Sequence, residues 1–217
     1  MIVSEIFYSL QGEGFLAGIP SVFIRLAGCP LSCKYCDTVY ARNYNDGKDL
    51  TNQQIIAQVQ NYPARHVVVT GGEPLVNQDL SERTDLRDLL VLLKNMDKHI
   101  TVETAGIKFV PDLSCDLMSI SPKPPAGDNL GQLQRLIENY DYQLKFVVAN
   151  EHDLAQAQEL LEELGECDRR NVMLMPQAAT RQQYLKTAAV VAELCKQTGF
   201  AFSPRLQILL WDSRRGA

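Results

Sequence analysis

The sequence has neither a long apolar run nor an excess of basic residues. None of its apolar runs reaches the roughly 18 residues of a transmembrane helix, so no membrane span is predicted. Its 21 basic and 26 acidic residues give a net charge of −5, which argues against a general basic surface for nucleic acid. The first residues lack the basic segment and cleavage site of a secretory signal, so none is expected.

Cysteines are few for a chain of this length. Six cysteines among 217 residues cannot form the dense disulfide framework of a small secreted protein, which favours a reducing cytoplasm. The sequence also lacks internal repeats, low-complexity segments and an interdomain linker. We therefore expect a single domain spanning residues 1–217, with 46% hydrophobic residues to form its core.

Three of the six cysteines lie close together at a C-x3-C-x2-C spacing. Cys29, Cys33 and Cys36 follow an apolar, strand-like run at residues 22–26. Three neighbouring thiolates favour a soft metal, so an iron–sulfur cluster or a zinc ion is indicated. A structural zinc site needs four ligands, whereas no fourth cysteine is nearby and the nearest histidine is His66. A 4Fe–4S cluster has four irons, so three cysteines would leave one iron open to a small molecule.

Hydrophobic periodicity predicts alternating strands and helices along the chain. Strands are predicted at residues 2–8, 22–26, 66–70, 100–103, 117–121, 142–148 and 171–175. Helices are predicted from a cap at Thr51 to before Pro63 and at residues 81–96, 133–140, 154–164 and 180–197, followed by a strand or extended tail at 200–211. About six strand–helix repeats imply parallel βαβ units, too few to close an eight-stranded barrel. We therefore predict an α/β fold with a partial, open barrel of the (β/α)6 type and N- and C-terminal extensions.

The residues suited to polar chemistry follow predicted strands. The cysteine group, residues 71–74, Glu103, residues 121–123 and Gln177 each lie at the C-terminal end of one of them or shortly after it. In α/β barrels the carboxyl ends of the strands converge on one face, where active sites lie. We therefore expect these residues to meet in one site.

Two further features precede the cysteines. Gln11, Gly12, Glu13 and Gly14 form a glycine-rich loop, which is either an ordinary turn or a place where the backbone approaches a ligand. Arg25 lies inside an apolar strand, where a buried guanidinium needs an anionic partner. An arginine that is ion-paired within the protein or reaches solvent would explain it without a ligand.

The cysteine spacing, with the aromatic Tyr35 directly before the last cysteine, resembles that of radical S-adenosylmethionine (SAM) enzymes. The flanking residues are similar to the 7-carboxy-7-deazaguanine synthase family, which acts on the route to queuosine and other deazapurines. This likeness is carried by residues 9–14, 18–20, 23–26 and 36–38. It is dense over residues 4–40 and recurs in short motifs to about residue 177.

The resemblance implies a specific set of ligand contacts. Cys29, Cys33 and Cys36 would hold a 4Fe–4S cluster, and SAM would chelate the fourth iron. Contacts to SAM are implied for Tyr35, Gly71, Gly72, Glu73, Glu103, Thr104, Ser121, Lys123 and Gln177. Contacts to a pterin substrate are implied for Leu10, Gln11, Gly12, Glu13, Gly71 and Arg25, the last on the substrate carboxylate. Thr38 would bind a Mg²⁺ ion that also contacts this carboxylate.

Some positions depart from the family pattern or remain open. Ala105 and Ile107 stand where family members often have asparagine and threonine, so side-chain contacts there are not expected. Gln207 stands where some members have a substrate-binding histidine. Lys145 resembles a family lysine, but an exposed strand lysine explains it equally well.

The implied reaction is a radical ring contraction. A 5′-deoxyadenosyl radical from SAM takes a hydrogen from C6 of 6-carboxy-5,6,7,8-tetrahydropterin. The ring then contracts, ammonia is lost and 7-carboxy-7-deazaguanine forms. Because the reactive group is generated on SAM, no side chain is assigned a catalytic role. The resemblance also implies a homodimer and a reductase or flavodoxin-type electron donor.

Two other functions fit parts of the pattern. An activating enzyme that places a radical on a glycine of a protein partner would use the same cluster and SAM. The loop at residues 11–14 and the pair Asp37 and Thr38 argue against it. A non-catalytic zinc-binding interaction protein would explain the cysteines, but it leaves Gly71, Gly72 and Glu73 without a purpose.

Overall fold

The computed structural model describes residues 1–33, 35–76, 85–212 and 214–216. Within these residues, the strands form one nine-stranded sheet in the order β3-β1-β2-β4-β5-β6-β7-β8-β9. The strands are β1 (Ile2–Leu10), β2 (Pro20–Leu26), β3 (Lys48–Asp49), β4 (His66–Gly71), β5 (His99–Thr104), β6 (Leu117–Ile120), β7 (Tyr142–Val148), β8 (Val172–Pro176) and β9 (Ala201–Phe202).

The sheet is mostly parallel and open. From β2 to β9 every neighbouring pair is parallel, whereas β1 is antiparallel to both β2 and β3. In the described part of the chain, β3 and β9 form the two edges and do not pair with each other. The predicted α/β fold with a partial, unclosed sheet is therefore confirmed.

In the described residues, five helices lie on the connections between parallel strands, and a sixth follows β9. They are α1 (Asn52–Val59), α2 (Asp85–Asn95), α3 (Leu130–Asn139), α4 (Glu151–Leu164), α5 (Arg181–Thr198) and α6 (Leu206–Trp211). The side chains of Thr51 and Thr180 cap α1 and α5, as the sequence predicts. Residues 81–84 of the predicted helix at 81–96 lie outside the described residues. None of the helices in the described ranges is long and apolar enough to cross a membrane.

The predicted strand or extended tail at residues 200–211 is wrong for most of its length. Only Ala201–Phe202 is a strand, and residues 206–211 form α6. The helix buries Ile208 against Ala178 and Tyr184, a small apolar cluster separate from the main core. The backbone N–H of Leu206 donates to the carbonyl of Gly12 at 2.9 Å, which places α6 beside the glycine-rich loop.

Alternate residues of the central strands face two different environments. Leu144 and Phe146 of β7 are buried in the apolar core, whereas Gln143 and Lys145 point to the opposite face. There Gln143 Nε2 donates to Ser119 Oγ at 2.8 Å, across the β6–β7 pair. One face of the sheet therefore packs against helices, and the other carries buried polar side chains.

Candidate active site

A cavity of about 480 Å³ lies beside the carboxyl ends of the parallel strands. Nearly all of the predicted ligand contacts line it, although they come from distant parts of the chain. These residues are Leu10, Gln11, Gly12, Glu13, Arg25, Cys29, Cys33, Tyr35, Cys36, Thr38, Gly71, Gly72, Glu73, Glu103, Thr104, Ser121 and Lys123. Gln177 follows β8 but is not among the lining residues, and its contact with SAM stays a prediction.

The cysteine loop is tied to the chain that follows it. The backbone N–H groups of Gly28 and Cys29 donate to the carbonyls of Ala41 and Arg42, both at 2.9 Å. The Arg42 guanidinium in turn donates to the carbonyl of Leu31 at 3.0 Å. These bonds close a compact loop that presents Cys29, Cys33 and Cys36 to the cavity.

Gly71, the last residue of β4, and Gly72, which follows it, are required by a close approach of two backbone segments. A Cβ added at Gly72 would lie 1.9 Å from the carbonyl oxygen of Gly28, and one at Gly71 would lie 2.1 Å from that of Leu26. The N–H groups of Gly72 and Glu73 donate to these two carbonyls, Leu26 and Gly28 respectively, at 2.9 Å each. The glycine pair therefore seats the start of the cysteine loop on the end of β4.

Glu73 is a buried carboxylate that accepts three hydrogen bonds within the protein. It is 1% exposed and accepts from Thr104 Oγ1 at 2.6 Å, the Ala105 N–H at 2.7 Å and the Leu75 N–H at 3.2 Å. Burial raises the pKa of Glu73 despite these bonds. A cationic ligand group in the cavity would favour its charged form. The bond from Ala105 uses only the backbone, so the departure of its side chain from the family pattern does not affect it.

Glu13 is the centre of a buried charge network. Its Oε2 accepts from Lys145 Nζ at 2.8 Å, and its Oε1 accepts from Gln207 Nε2 at 2.8 Å and Arg205 Nε at 3.3 Å. Burial alone would raise the pKa of Glu13, but Lys145 and Arg205 together lower it to about 2. The carboxylate is therefore ionised at neutral pH and held in place on both oxygens.

Glu103 lies in the same network as Glu13. Its Oε1 accepts from Gln11 Nε2 at 3.1 Å, and Lys145 Nζ lies 3.6 Å from the same oxygen. Gln11 also accepts from the N–H of Glu13 at 3.1 Å, which orders the glycine-rich loop. The structure thus links the predicted SAM contacts to the predicted substrate contacts. The link is the hydrogen bond from Gln11, a predicted substrate contact, to Glu103, a predicted SAM contact.

Comparisons with known proteins agree with this arrangement. The model of the Radical SAM superfamily matches residues 23–175. A 7-carboxy-7-deazaguanine synthase of Halobacterium salinarum is 37% identical over 97% of this chain and 90% of its own length. Its counterpart in Pyrobaculum aerophilum is 36% identical over 99% and 96% of the two chains. The chain belongs to the 7-carboxy-7-deazaguanine synthase family.

The fold of this family member is also close to a solved structure. The crystal structure of QueE from Escherichia coli has a TM-score of 0.69 to this chain at 26% sequence identity. The match covers 93% of this chain and 92% of the other. The open sheet described above is therefore a radical SAM barrel.

The donor set of the chain suits the cluster that the radical SAM superfamily carries. All six cysteines have free thiols, and the three in the loop line the cavity. Among the residues that the structure describes, no three His, Cys, Asp or Glu side chains form a group that could hold a single metal ion. In a 4Fe–4S cluster each cysteine binds a different iron, so the three thiols need not meet at one point.

Two cationic residues of the network were missed or left open by the sequence. Lys145 is 2% exposed, so its interpretation as an exposed strand lysine is wrong. Arg205 is 5% exposed and, besides Glu13, donates to Asp37 and to the Ala178 carbonyl. The polar residues at every second position of β7, Gln143 and Lys145, could have indicated a second polar face. No sequence signal pointed to Arg205, which reaches Glu13 from 192 positions away.

The anionic partner of Arg25 in the described chain is Glu5. Arg25 Nε donates to Glu5 Oε1 at 2.8 Å, and the guanidinium lines the cavity. An ion pair within the protein and a ligand contact therefore coexist at this residue. Thr38 also lines the cavity, and its Oγ1 donates to Asp37 Oδ1 at 2.8 Å.

Proposed function

We propose that the protein is a 7-carboxy-7-deazaguanine synthase. This carbon–nitrogen lyase contracts the ring of 6-carboxy-5,6,7,8-tetrahydropterin and releases ammonia, in queuosine and 7-deazapurine biosynthesis. The observation that carries the proposal is one shared cavity that presents three cysteines and the Gln11–Glu13 pair together. Support also comes from the family membership, since relatives that match along nearly the whole chain have this name.

The three cysteines would bind the iron–sulfur cluster, and the buried carboxylate of Glu73 would bind SAM. Cys29, Cys33 and Cys36 would each hold one iron of a 4Fe–4S cluster. When bound, the cluster and SAM supply a carbon-centred radical that removes a hydrogen from C6 of the substrate. Glu73, fixed by Thr104 and the N–H of Ala105, would accept the ammonium group of SAM. The remaining contacts to SAM are expected from Tyr35, Gly71, Gly72, Glu103, Thr104, Ser121, Lys123 and Gln177.

The glycine-rich loop would orient the pterin. An ionised carboxylate accepts hydrogen bonds, so Glu13 suits the amino and ring N–H groups of a pterin. Gln11 offers both a donor and an acceptor beside it, and Leu10, Gly12 and Gly71 complete the wall. The reaction needs one C–H bond near the radical and the exclusion of others, so the work of these residues is positioning.

Thr38 and the substrate carboxylate would bind Mg²⁺ together. A hydroxyl, a carboxylate and waters are hard oxygen ligands of the kind that Mg²⁺ prefers. The hydrogen bond to Asp37 holds the Thr38 hydroxyl at the edge of the cavity.

We also propose a cytoplasmic homodimer of one domain per chain, reduced by a reductase or flavodoxin-type donor. Six free thiols suit a reducing compartment. A 4Fe–4S cluster would need an electron from outside the polypeptide to reach its reduced, active state. The glycyl-radical activating function is not favoured, because the relatives along nearly the whole chain are named for the small-molecule reaction.

An anaerobic assay tests the proposal. The protein is reconstituted with iron and sulfide and mixed with reductant, SAM, Mg²⁺ and 6-carboxytetrahydropterin. Mass spectrometry should detect both 5′-deoxyadenosine and 7-carboxy-7-deazaguanine. Cys33→Ser should abolish both products, whereas Cys167→Ser, outside the cavity lining, should retain them. 5′-Deoxyadenosine without the deazaguanine would contradict the proposed substrate.

A further inference from the structure

Two arginines from opposite ends of the chain meet at one carboxylate. Arg25 Nε donates to Glu5 Oε1 at 2.8 Å, and Arg215 Nε donates to Glu5 Oε2 at 3.0 Å. Tyr40 Oη also donates to Glu5 Oε1, at 2.8 Å. Arg25, Arg215 and Tyr40 all line the cavity, so this group forms part of its wall.

Glu5 occupies only one edge of each guanidinium. Both arginines contact it through Nε, and their Nη atoms have no hydrogen-bond partner among the described residues. A guanidinium carries five N–H donors, and its planar end fits a carboxylate with two parallel bonds. The side chain of Arg25 is 15% exposed and that of Arg215 is 51% exposed. The Nη groups of both residues are thus open to a ligand in the cavity.

Tyr40 supports both guanidinium groups. The Cζ atom of Arg215 lies 4.1 Å from the centroid of the Tyr40 ring, and that of Arg25 lies 5.9 Å away. Burial raises the pKa of Tyr40 to about 12, so the phenol remains a hydrogen-bond donor at neutral pH. Burial alone would raise the pKa of Glu5, but the bonds from Tyr40, Arg215 and Arg25 lower it, so Glu5 is ionised.

The charges of this group leave a net positive end in the cavity. Two guanidinium groups and one carboxylate sum to a single positive charge. The opposite tendency holds around Glu13, where Glu13, Glu103 and Asp37 face Lys145 and Arg205. These two groups of charged side chains therefore have opposite net signs. They favour a ligand orientation that places a carboxylate beside Arg25 and Arg215 and the N–H donors of a ring beside Glu13.

We propose that Arg215 is a substrate-binding residue that forms, with Arg25, a two-arginine clamp for the carboxylate of the substrate. Glu5 and Tyr40 are positioning residues, which hold the two guanidinium groups side by side with their Nη ends facing the ligand. The inference rests on the proposed function, because the ligand is a carboxylated pterin. It assigns a direct role to the C-terminal segment, beyond the contact of Arg25 alone.

Two ligands, one with and one without the carboxylate, show whether Arg215 contacts the carboxylate or affects pterin binding in general. Equilibrium binding to the reconstituted enzyme is measured for 6-carboxytetrahydropterin and for a tetrahydropterin without the carboxylate. Arg215→Gln should weaken binding of the first about tenfold, as expected for a lost charge-assisted contact, and leave the second unchanged. Arg215→Lys should recover part of the loss, because a lysine keeps the charge but not the planar fork. KM should rise similarly, with kcat within about twofold of the wild type.

The control variant is Arg65→Gln. Arg65 forms an exposed ion pair with Asp97 and does not line the cavity, so its loss should change neither ligand's affinity. Iron content and the midpoint of urea unfolding are compared between the two variants, which shows whether Arg215→Gln folds and binds its cluster normally.

Glu5→Gln tests the positioning role separately. If Glu5 aligns the arginines, the variant should bind the carboxylated pterin more weakly. If Glu5 instead competes with the substrate for the arginines, the variant should bind it more tightly, which would contradict that role.

Two outcomes would overturn the clamp. One is an equal loss of affinity for both ligands in Arg215→Gln, which would mean that Arg215 only anchors the C-terminal segment. The other is unchanged affinity for the carboxylated ligand. Failure of the proposed function would be seen in the anaerobic assay, in which the wild-type enzyme would form no 7-carboxy-7-deazaguanine. Selective loss of carboxylate binding in such an enzyme would still support the clamp.

Discussion

Lys145 Nζ lies 2.8 Å from Glu13 Oε2, although 132 positions separate the two residues in the sequence. Burial alone would lower the pKa of Lys145, but Glu13 and Glu103 raise it, so the ammonium stays charged. The pair joins the middle of β7 to the glycine-rich loop after β1. The loop that would orient the substrate is therefore held by a charged side chain of β7, a strand that lies far from β1 in the sheet order.

Lys145→Met should destabilise the protein strongly. It removes the main counter-charge of Glu13 and leaves a buried carboxylate with fewer partners, which we expect to cost about 3 kcal/mol. Urea unfolding of the cluster-free protein measures the change. Lys196→Met is the control, because Lys196 pairs with Glu193 at an exposed position on α5 and should cost less than about 0.5 kcal/mol. Equal losses in the two variants would contradict the role of the buried pair.

The stability of the protein should depend on Glu13 at low pH. The pKa of Glu13 falls from its ordinary 4.5 to about 2 on folding, so its ionised form stabilises the native state above pH 4.5. This contribution, about 3 kcal/mol, should be lost as the pH falls from about 4.5 to about 2. The gap in unfolding free energy between wild type and Glu13→Gln should shrink over this range.

The control for the pH series is Glu163→Gln. Glu163 is exposed on α4, so its removal should leave the acid-dependent decline of the wild type unchanged. A gap between wild type and Glu13→Gln that stays constant down to pH 2 would show that the pKa of Glu13 is not depressed.

Gly72→Ala should prevent normal cluster assembly. The added Cβ would meet the carbonyl oxygen of Gly28 at 1.9 Å, so the start of the cysteine loop must move. Iron content and visible absorbance after anaerobic reconstitution should fall well below those of the wild type. Gly131→Ala is the matched control, since its added Cβ would meet no atom within 4 Å beyond its own helix backbone and chain neighbours, and alanine favours the helix by about 1 kcal/mol. Full iron loading of Gly72→Ala would contradict the claim that cluster binding depends on the close packing of the cysteine loop against Gly72.

Thr38→Val should reduce the dependence of turnover on Mg²⁺. The variant keeps the shape of the side chain and removes the oxygen that would bind the ion. We expect product formation with Mg²⁺ to fall about tenfold toward the rate measured with a chelator, as for one lost polar contact. Thr38→Ser, which retains the hydroxyl, should respond to Mg²⁺ like the wild type. A Thr38→Val enzyme that is still stimulated by Mg²⁺ would place the ion elsewhere.

Local patterns in the sequence determined the fold class and the part of the site that is built from the ends of the parallel strands. β4 and β8 are nearly continuous apolar runs, typical of buried parallel strands, and the Thr51 and Thr180 caps mark helix starts. Because parallel strands share their carboxyl edge, the positions of the cysteines, Glu73 and Ser121 after such strands predicted a common cavity. α6 was missed because its six residues are too short for a clear helical period.

The sequence by itself thus determined which residues would line a common cavity, since cysteine spacing and strand ends are local properties. Only the tertiary structure decided which charged side chains pair with Glu13 and Glu5 in the wall of the cavity. Lys145, Arg205 and Arg215 meet Glu13 and Glu5 across 132, 192 and 210 positions. An ionic contact of this kind depends on burial and distance in space. Neither burial nor distance in space between such residues produces a periodic pattern in the sequence.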